Sequence, residues 1–94
     1  MSRADVQRRE VYYSGRVQGV GFRYTARALA KGFRVAGYVR NLSDGRVELV
    51  VEGALEEIDR FLAAIDKQIG HYVRDVRQSA SPASGNFKGF EIRF

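Results

Sequence analysis

The chain has 94 residues, 45% of them hydrophobic, with one proline and no cysteine. That composition fits one small globular domain, and it excludes disulfides, cysteine-based zinc sites and a cysteine nucleophile. The net charge is +5, and no apolar run approaches the roughly 18 residues of a membrane span. Its distribution is uneven: Arg16, Arg23, Arg27, Lys31, Arg34, Arg40 and Arg46 face a single acid, Asp44, in that part of the chain, and acids gather between Glu48 and Asp66. A positive field of this kind steers anionic ligands, and charge alone leaves small phosphates and nucleic acid both open.

Residues Met1–Arg9 are polar and charged, without the apolar stretch of a secretory leader, so a soluble, cytoplasmic protein is expected. They lack periodicity and read as a flexible basic arm over residues 1–9, ahead of a domain spanning residues 10–94. From Glu10 to Val17 the residues Val11, Tyr13, Gly15 and Val17 alternate with Tyr12, Ser14 and Arg16, which predicts a strand. Phe22, Ala26, Leu29 and Ala30 fall at helical spacing, predicting a helix from Phe22 to Lys31 with Gly32 as its stop.

Val35–Leu42 and Arg46–Glu52 alternate again and flank Ser43-Asp44-Gly45, so they read as a hairpin that Gly53 ends. Leu55, Ile58, Leu62, Ile65 and Ile69 repeat at three- and four-residue steps, with Phe61 widening the stripe, and predict a helix over Leu55–Ile69. Glu56 and Glu57 occupy its first turn, where the helix dipole favours negative charge. Tyr72–Ser79 is a weaker strand pattern, Ser79–Asn86 reads as loop, and Phe87–Phe94 reads as a closing strand with Phe90, Ile92 and Phe94 toward the core. The order β, α, β, β, α, β with an added C-terminal strand is that of a ferredoxin-like α+β sandwich, two helices on one face of an antiparallel sheet.

Between the first strand and the first helix lies Gly15-Arg16-Val17-Gln18-Gly19-Val20-Gly21-Phe22-Arg23. A glycine-rich turn leading into a helix exposes backbone N–H groups that lack intrahelical partners, at the positive end of the dipole. Arg23 adds a planar fork of donors suited to phosphoryl oxygens. The same residues also suit a strand-to-helix turn that merely needs glycine, and on chemistry alone both readings stand. Asn41 has a plain reading of its own, as the initiator of the turn before Ser43-Asp44-Gly45.

Two segments resemble the signatures of the acylphosphatase family: Gly15 to Arg23, matching G-R-V-Q-G-V-x-F-R, and Gly37-Tyr38-Val39-Arg40-Asn41 followed by Gly45, Val47 and Gly53. The resemblance covers Glu10 to Phe94, down to the ending Phe90-Glu91-Ile92-Arg93-Phe94. It implies a ferredoxin-like fold and a monomeric enzyme. The implied reaction is hydrolysis of the carboxyl–phosphate bond of small acyl phosphates, without metal or cofactor. It further implies that Arg23 binds the phosphoryl group, helped by the backbone of Gln18, Gly19, Val20, Gly21 and Phe22, and that Asn41 orients the attacking water. The chain departs from the family pattern after its second helix, with Gly70-His71 where many members carry Gly-Pro, and in the charged segment His71–Gln78. His71 reads as a surface or capping residue, and Glu52, Glu56 and Glu57 read as solvated or dipole-complementing rather than metal-binding.

A basic ferredoxin-like domain can instead bind RNA through aromatics on its sheet. Lys31-Gly32-Phe33 and Lys88-Gly89-Phe90 echo the start of such a motif. Neither completes it, the first falls at a helix end, and no nucleic-acid or membrane partner is expected.

Overall fold

The computed structural model describes residues 6–94. Its elements run β1 (Val6–Gly15), α1 (Phe22–Ala30), β2 (Val35–Asn41), β3 (Val47–Ala54), α2 (Leu55–Ile69), a short 3-10 turn (Gly70–Tyr72), β4 (Val73–Pro82) and β5 (Phe90–Arg93). The five strands lie in the order β4-β1-β3-β2-β5, and the helices cover one face of the sheet. β1 is antiparallel to β3 and β4, as β2 is to β3. β5 lies parallel to β2, pairing Val39 with Ile92, so the sheet is mixed rather than wholly antiparallel. The chain reaches β5 from the far edge of the sheet through the segment after Pro82, and that crossing fixes its direction.

Alternation along the strands divides the sheet as the sequence predicts. Val11, Tyr13, Val39, Val47, Leu49 and Val51 point toward the helices and meet Phe22, Ala26, Ile58, Phe61 and Ile65 in one buried core. Phe61 anchors it, 5.3 Å from the Phe90 ring and 6.0 Å from Phe33. Leu55, expected in the apolar stripe of α2, lies at the helix start and is 44% exposed. Phe94, expected to face the core, is 92% exposed because the last ladder pair of β5 is already at Arg93.

The largest departure concerns the expected basic arm. Residues 6–9 belong to β1, while the rest of that arm lies outside the described residues. Arg8 reaches Glu10 at 3.0 Å and Glu52 at 3.4 Å; Arg9 reaches Asp59 and Gln78, each at 3.2 Å. Most of these partners are far away in sequence, so no local periodicity reveals them. The longer β1 also gives Ser79, Ala80, Ser81 and Pro82 a partner strand, which turns part of the expected loop into β4. Gly53, expected to end β3, stays in the strand because it pairs with Gln7 of the longer β1 on one side and with Val35 of β2 on the other.

On the open face of the sheet, two glutamates are almost buried. Glu48 accepts the Tyr12 hydroxyl at 2.9 Å and the Arg40 Nε at 2.6 Å. Glu52, expected to be solvated, is only 6% exposed and holds the segment after β4 onto the sheet. It accepts the Ser84 N–H at 2.9 Å, the Ser84 hydroxyl at 2.7 Å and the Gly85 N–H at 2.9 Å. Burial alone pushes its carboxyl up, but the Ser84 and Gly85 donors together with Arg8 hold it below the ordinary carboxylate value. A carboxyl with a lowered folded value stabilises the fold above its unfolded value, and that contribution is lost as pH falls through the folded one. Glu52→Gln, which turns an amide toward these donors, is therefore expected to cost about 1–3 kcal/mol at pH 7. In urea unfolding the gap from the parent protein should narrow below about pH 4.3, where the unfolded carboxyl protonates; a gap independent of pH would contradict the assignment.

Candidate active site

The segment between β1 and α1 is shaped by its glycines. Gly19 and Gly21 take φ of 78° and 80°, a left-handed conformation that side chains with a Cβ disfavour. A Cβ at either position would meet no protein atom within 4 Å, so both backbones face open space. Gly21 is the N-cap of α1, and its carbonyl accepts the Thr25 N–H at 2.9 Å. This helix start has no side-chain cap and no acid in its first turn, whereas the first turn of α2 carries Glu56 and Glu57. The first-turn N–H groups of α1 thus meet solvent at the positive end of the dipole.

Beside that helix start is a cavity of about 260 Å³ lined by Val17, Gly19, Gly21, Phe22, Arg23, Tyr24 and Asn41. The cavity unites Arg23, from the first turn of α1, with Asn41, from the last position of β2 opposite Val47. Two of the residues expected in the cradle do not line it. Val20 packs against the core. Gln18 turns its carboxamide to the β2–β3 turn, donating from Nε2 to the Leu42 carbonyl at 2.8 Å and the Arg46 carbonyl at 3.0 Å. Leu42 in turn donates its N–H to the Arg46 carbonyl at 2.8 Å, so one side chain ties the glycine-rich loop to the hairpin that carries Asn41.

Beneath the cavity the support is rigid. Phe22 is 2% exposed and its ring packs 4.8 Å from Tyr13, so the backbone of Phe22 rather than its ring is what solvent reaches. Burial, with the charge of Asp66, pushes the Tyr13 phenol up and keeps it neutral. Arg23 is half-buried, and its guanidinium lies 4.8 Å from the Phe94 ring, a cation–π distance that gives the fork a defined direction. Phe94 and Tyr24 are contributions that the motifs did not reveal. Tyr24 follows Arg23 in an unremarkable stretch, and the stacking of Phe94 depends on where the chain end falls in space.

The arginines of the open sheet face differ from Arg23 in their partners. Arg8, Arg40, Arg46, Arg77 and Arg93 each pair with a carboxylate on or beside the open sheet face. Among the described residues, Arg16, Arg23 and Arg27 have no carboxylate within salt-bridge reach. Arg23 therefore lines the cavity with no carboxylate partner among the described residues, and its free charge attracts an anion there. The described residues contain no group of three or more His, Asp or Glu side chains placed to hold a metal ion. Among the described residues no helix is long and apolar enough to cross a membrane.

Comparison with known proteins agrees with this geometry. The acylphosphatase family model matches residues 9–92. The chain is 44% identical over 93 residues to the acylphosphatase of Rubrobacter xylanophilus, covering 98% of this chain and 84% of that one. It is 49% identical over 89 residues to the acylphosphatase of a Roseiflexus species, covering 94% and 96%. Its fold superposes on the crystal structure of acylphosphatase from Bacillus subtilis with a TM-score of 0.86 at 32% identity, covering 94% of this chain and 99% of that one. With a family match that spans both signature segments and reaches every strand, the chain belongs to the acylphosphatase family of acid-anhydride hydrolases.

Proposed function

We propose that the chain hydrolyses the carboxyl–phosphate bond of small acyl phosphates, acting without metal as a monomeric cytoplasmic enzyme. The observation that carries this reading is the single cavity that unites Arg23, the glycine-rich loop and Asn41. The phosphoryl group sits against backbone N–H groups of the glycine-rich loop, at Gly19, Gly21 and Phe22 where it lines the cavity, and Arg23 completes the cradle with its paired donors. Negative charge on the phosphoryl oxygens is offset there by groups already in position, which is where preorganisation lowers a barrier most.

Asn41 holds a water on the opposite side. The water oxygen forms a bond to phosphorus while the bond between phosphorus and the acyl oxygen breaks, and the electron pair leaves with the carboxylate. Such a leaving group needs no strong acid, so the protein's task is to position and to neutralise. A carboxamide orients water but is a poor base, and the water's proton passes to a phosphoryl oxygen, giving carboxylate and inorganic phosphate. The carboxylate-paired arginines on the open sheet face favour a small anionic ligand at the cavity over a nucleic acid spread across the sheet.

Arg23→Ala and Arg23→Lys are expected to lower turnover of acetyl phosphate by roughly two to three orders of magnitude, the range for losing a preorganised donor. Native circular dichroism should accompany the loss. For Asn41→Ala, turnover is expected to disappear while inorganic phosphate still binds, measured by calorimetry; joint loss of binding would contradict a water-holding role. Gln18→Ala removes both bonds to the hairpin and should destabilise the fold by about 1–2 kcal/mol. It should also lower kcat more than it raises KM, because the loop keeps its own amides while Asn41 loses its fixed distance from them.

A further inference from the structure

Tyr24 is unexplained by the roles above. It is 57% exposed, yet it lines the same cavity as Arg23 and Asn41. Solvent-facing tyrosines on a helix usually have no neighbour to define them, but here the Arg27 guanidinium, one turn further along α1, lies 5.5 Å from the ring centroid. That contact holds the ring down along the helix. Of the other aromatic rings nearby, Phe22 and Tyr13 pack on each other in the core, and Phe94 lies over Arg23 but does not line the cavity.

We propose that Tyr24 forms the subsite for the acyl portion of the substrate and favours flat aromatic acyl groups over small aliphatic ones. The inference rests on the reading that the substrate is an acyl phosphate whose phosphoryl end meets Arg23. Tyr24 is the chain neighbour of Arg23 and borders the same small cavity, so the acyl carbonyl carbon, joined to the phosphoryl group through one bridging oxygen, starts close to the ring. A cavity of about 260 Å³ is too small to enclose more than a small ligand. An acyl group larger than acetyl therefore extends over the rim, where Tyr24 offers an apolar face. An aromatic acyl group can stack there offset, with ring centroids at the usual separations, and an acetyl group gains little from the same surface.

The test compares benzoyl phosphate with acetyl phosphate as substrates for the full chain and for its Tyr24→Phe and Tyr24→Leu variants. At a position this exposed neither substitution threatens the fold, and leucine keeps apolar bulk while removing the flat ring. Tyr24→Leu is expected to lower the benzoyl-to-acetyl ratio of kcat/KM by about fivefold, through a higher KM for benzoyl phosphate, with Tyr24→Phe staying within about twofold of the parent ratio. The same ratio in all three proteins, with both substrates hydrolysed, would overturn the subsite and leave the proposed reaction standing. An equal fall on both substrates in Tyr24→Leu would also overturn it, since that pattern marks a disturbed Arg23. Failure of the parent protein to hydrolyse either compound would overturn the proposed reaction and the subsite together.

Discussion

The site depends on one side chain that does not line it. Gln18 donates both hydrogens of its carboxamide to carbonyls of the β2–β3 turn, at 2.8 Å from Leu42 and 3.0 Å from Arg46. The glycine-rich loop and the hairpin are far apart in sequence and come from different edges of the hydrophobic pattern. Without a fixed link, each would keep its own small motions, and a misplacement of about 1 Å between reacting groups is enough to cost much of a rate. The link also adds a second donor to two turn carbonyls that already accept backbone N–H groups, the Leu42 carbonyl from Gly45 at 3.2 Å and the Arg46 carbonyl from Leu42 at 2.8 Å. Arg23 and Asn41 face one cavity because β1 and β2 both pair with β3, and Gln18 sets how far apart their supporting segments sit.

Around that constraint the charges fall into two populations. On the open face of the sheet, carboxylates hold the arginines: Glu48 takes Arg40 and Glu52 takes Arg8. The two glutamates are nearly buried but fully partnered, which avoids the penalty of an isolated charge in a dry site. Near the loop the arginines have no such partners among the described residues, and the α1 start lacks both a cap and an acid. With glycine at the N-cap, a helix start in that condition gives up only about a few tenths of a kcal/mol of capping stability. An anionic ligand at the same place would recover the missing hydrogen bonds, which fits the proposed reaction.

The legibility of the sequence followed the range of the interactions. α2 was readable residue for residue, Leu55 to Ile69, because its periodicity, its first-turn acids and its buried stripe all come from one segment. The Gly19–Arg23 stretch and Asn41 stood out by motif, and the structure brings both to one cavity. Contacts between remote segments were not readable: Arg8 and Arg9 looked like part of a loose arm because Glu52, Asp59 and Gln78 cannot be matched to them by spacing. The parallel direction of β5 likewise depends on a chain crossing that no local pattern encodes. The tie made by the Gln18 side chain is equally hidden, since a side chain that reaches a later turn leaves no mark on periodicity. Tyr24 was missed for the opposite reason, being an ordinary exposed helix residue until the cavity beside it is known.

The central claim is that the loop and Arg23 hold the phosphoryl group while water held by Asn41 attacks phosphorus. Hydrolysis of benzoyl phosphate in water enriched in oxygen-18, with the products analysed by mass spectrometry, tests it most directly. The account predicts that the label enters inorganic phosphate and that benzoate carries none. Label in benzoate would place the attack at the carbonyl carbon and contradict the assignment of the cavity as a phosphoryl-transfer site.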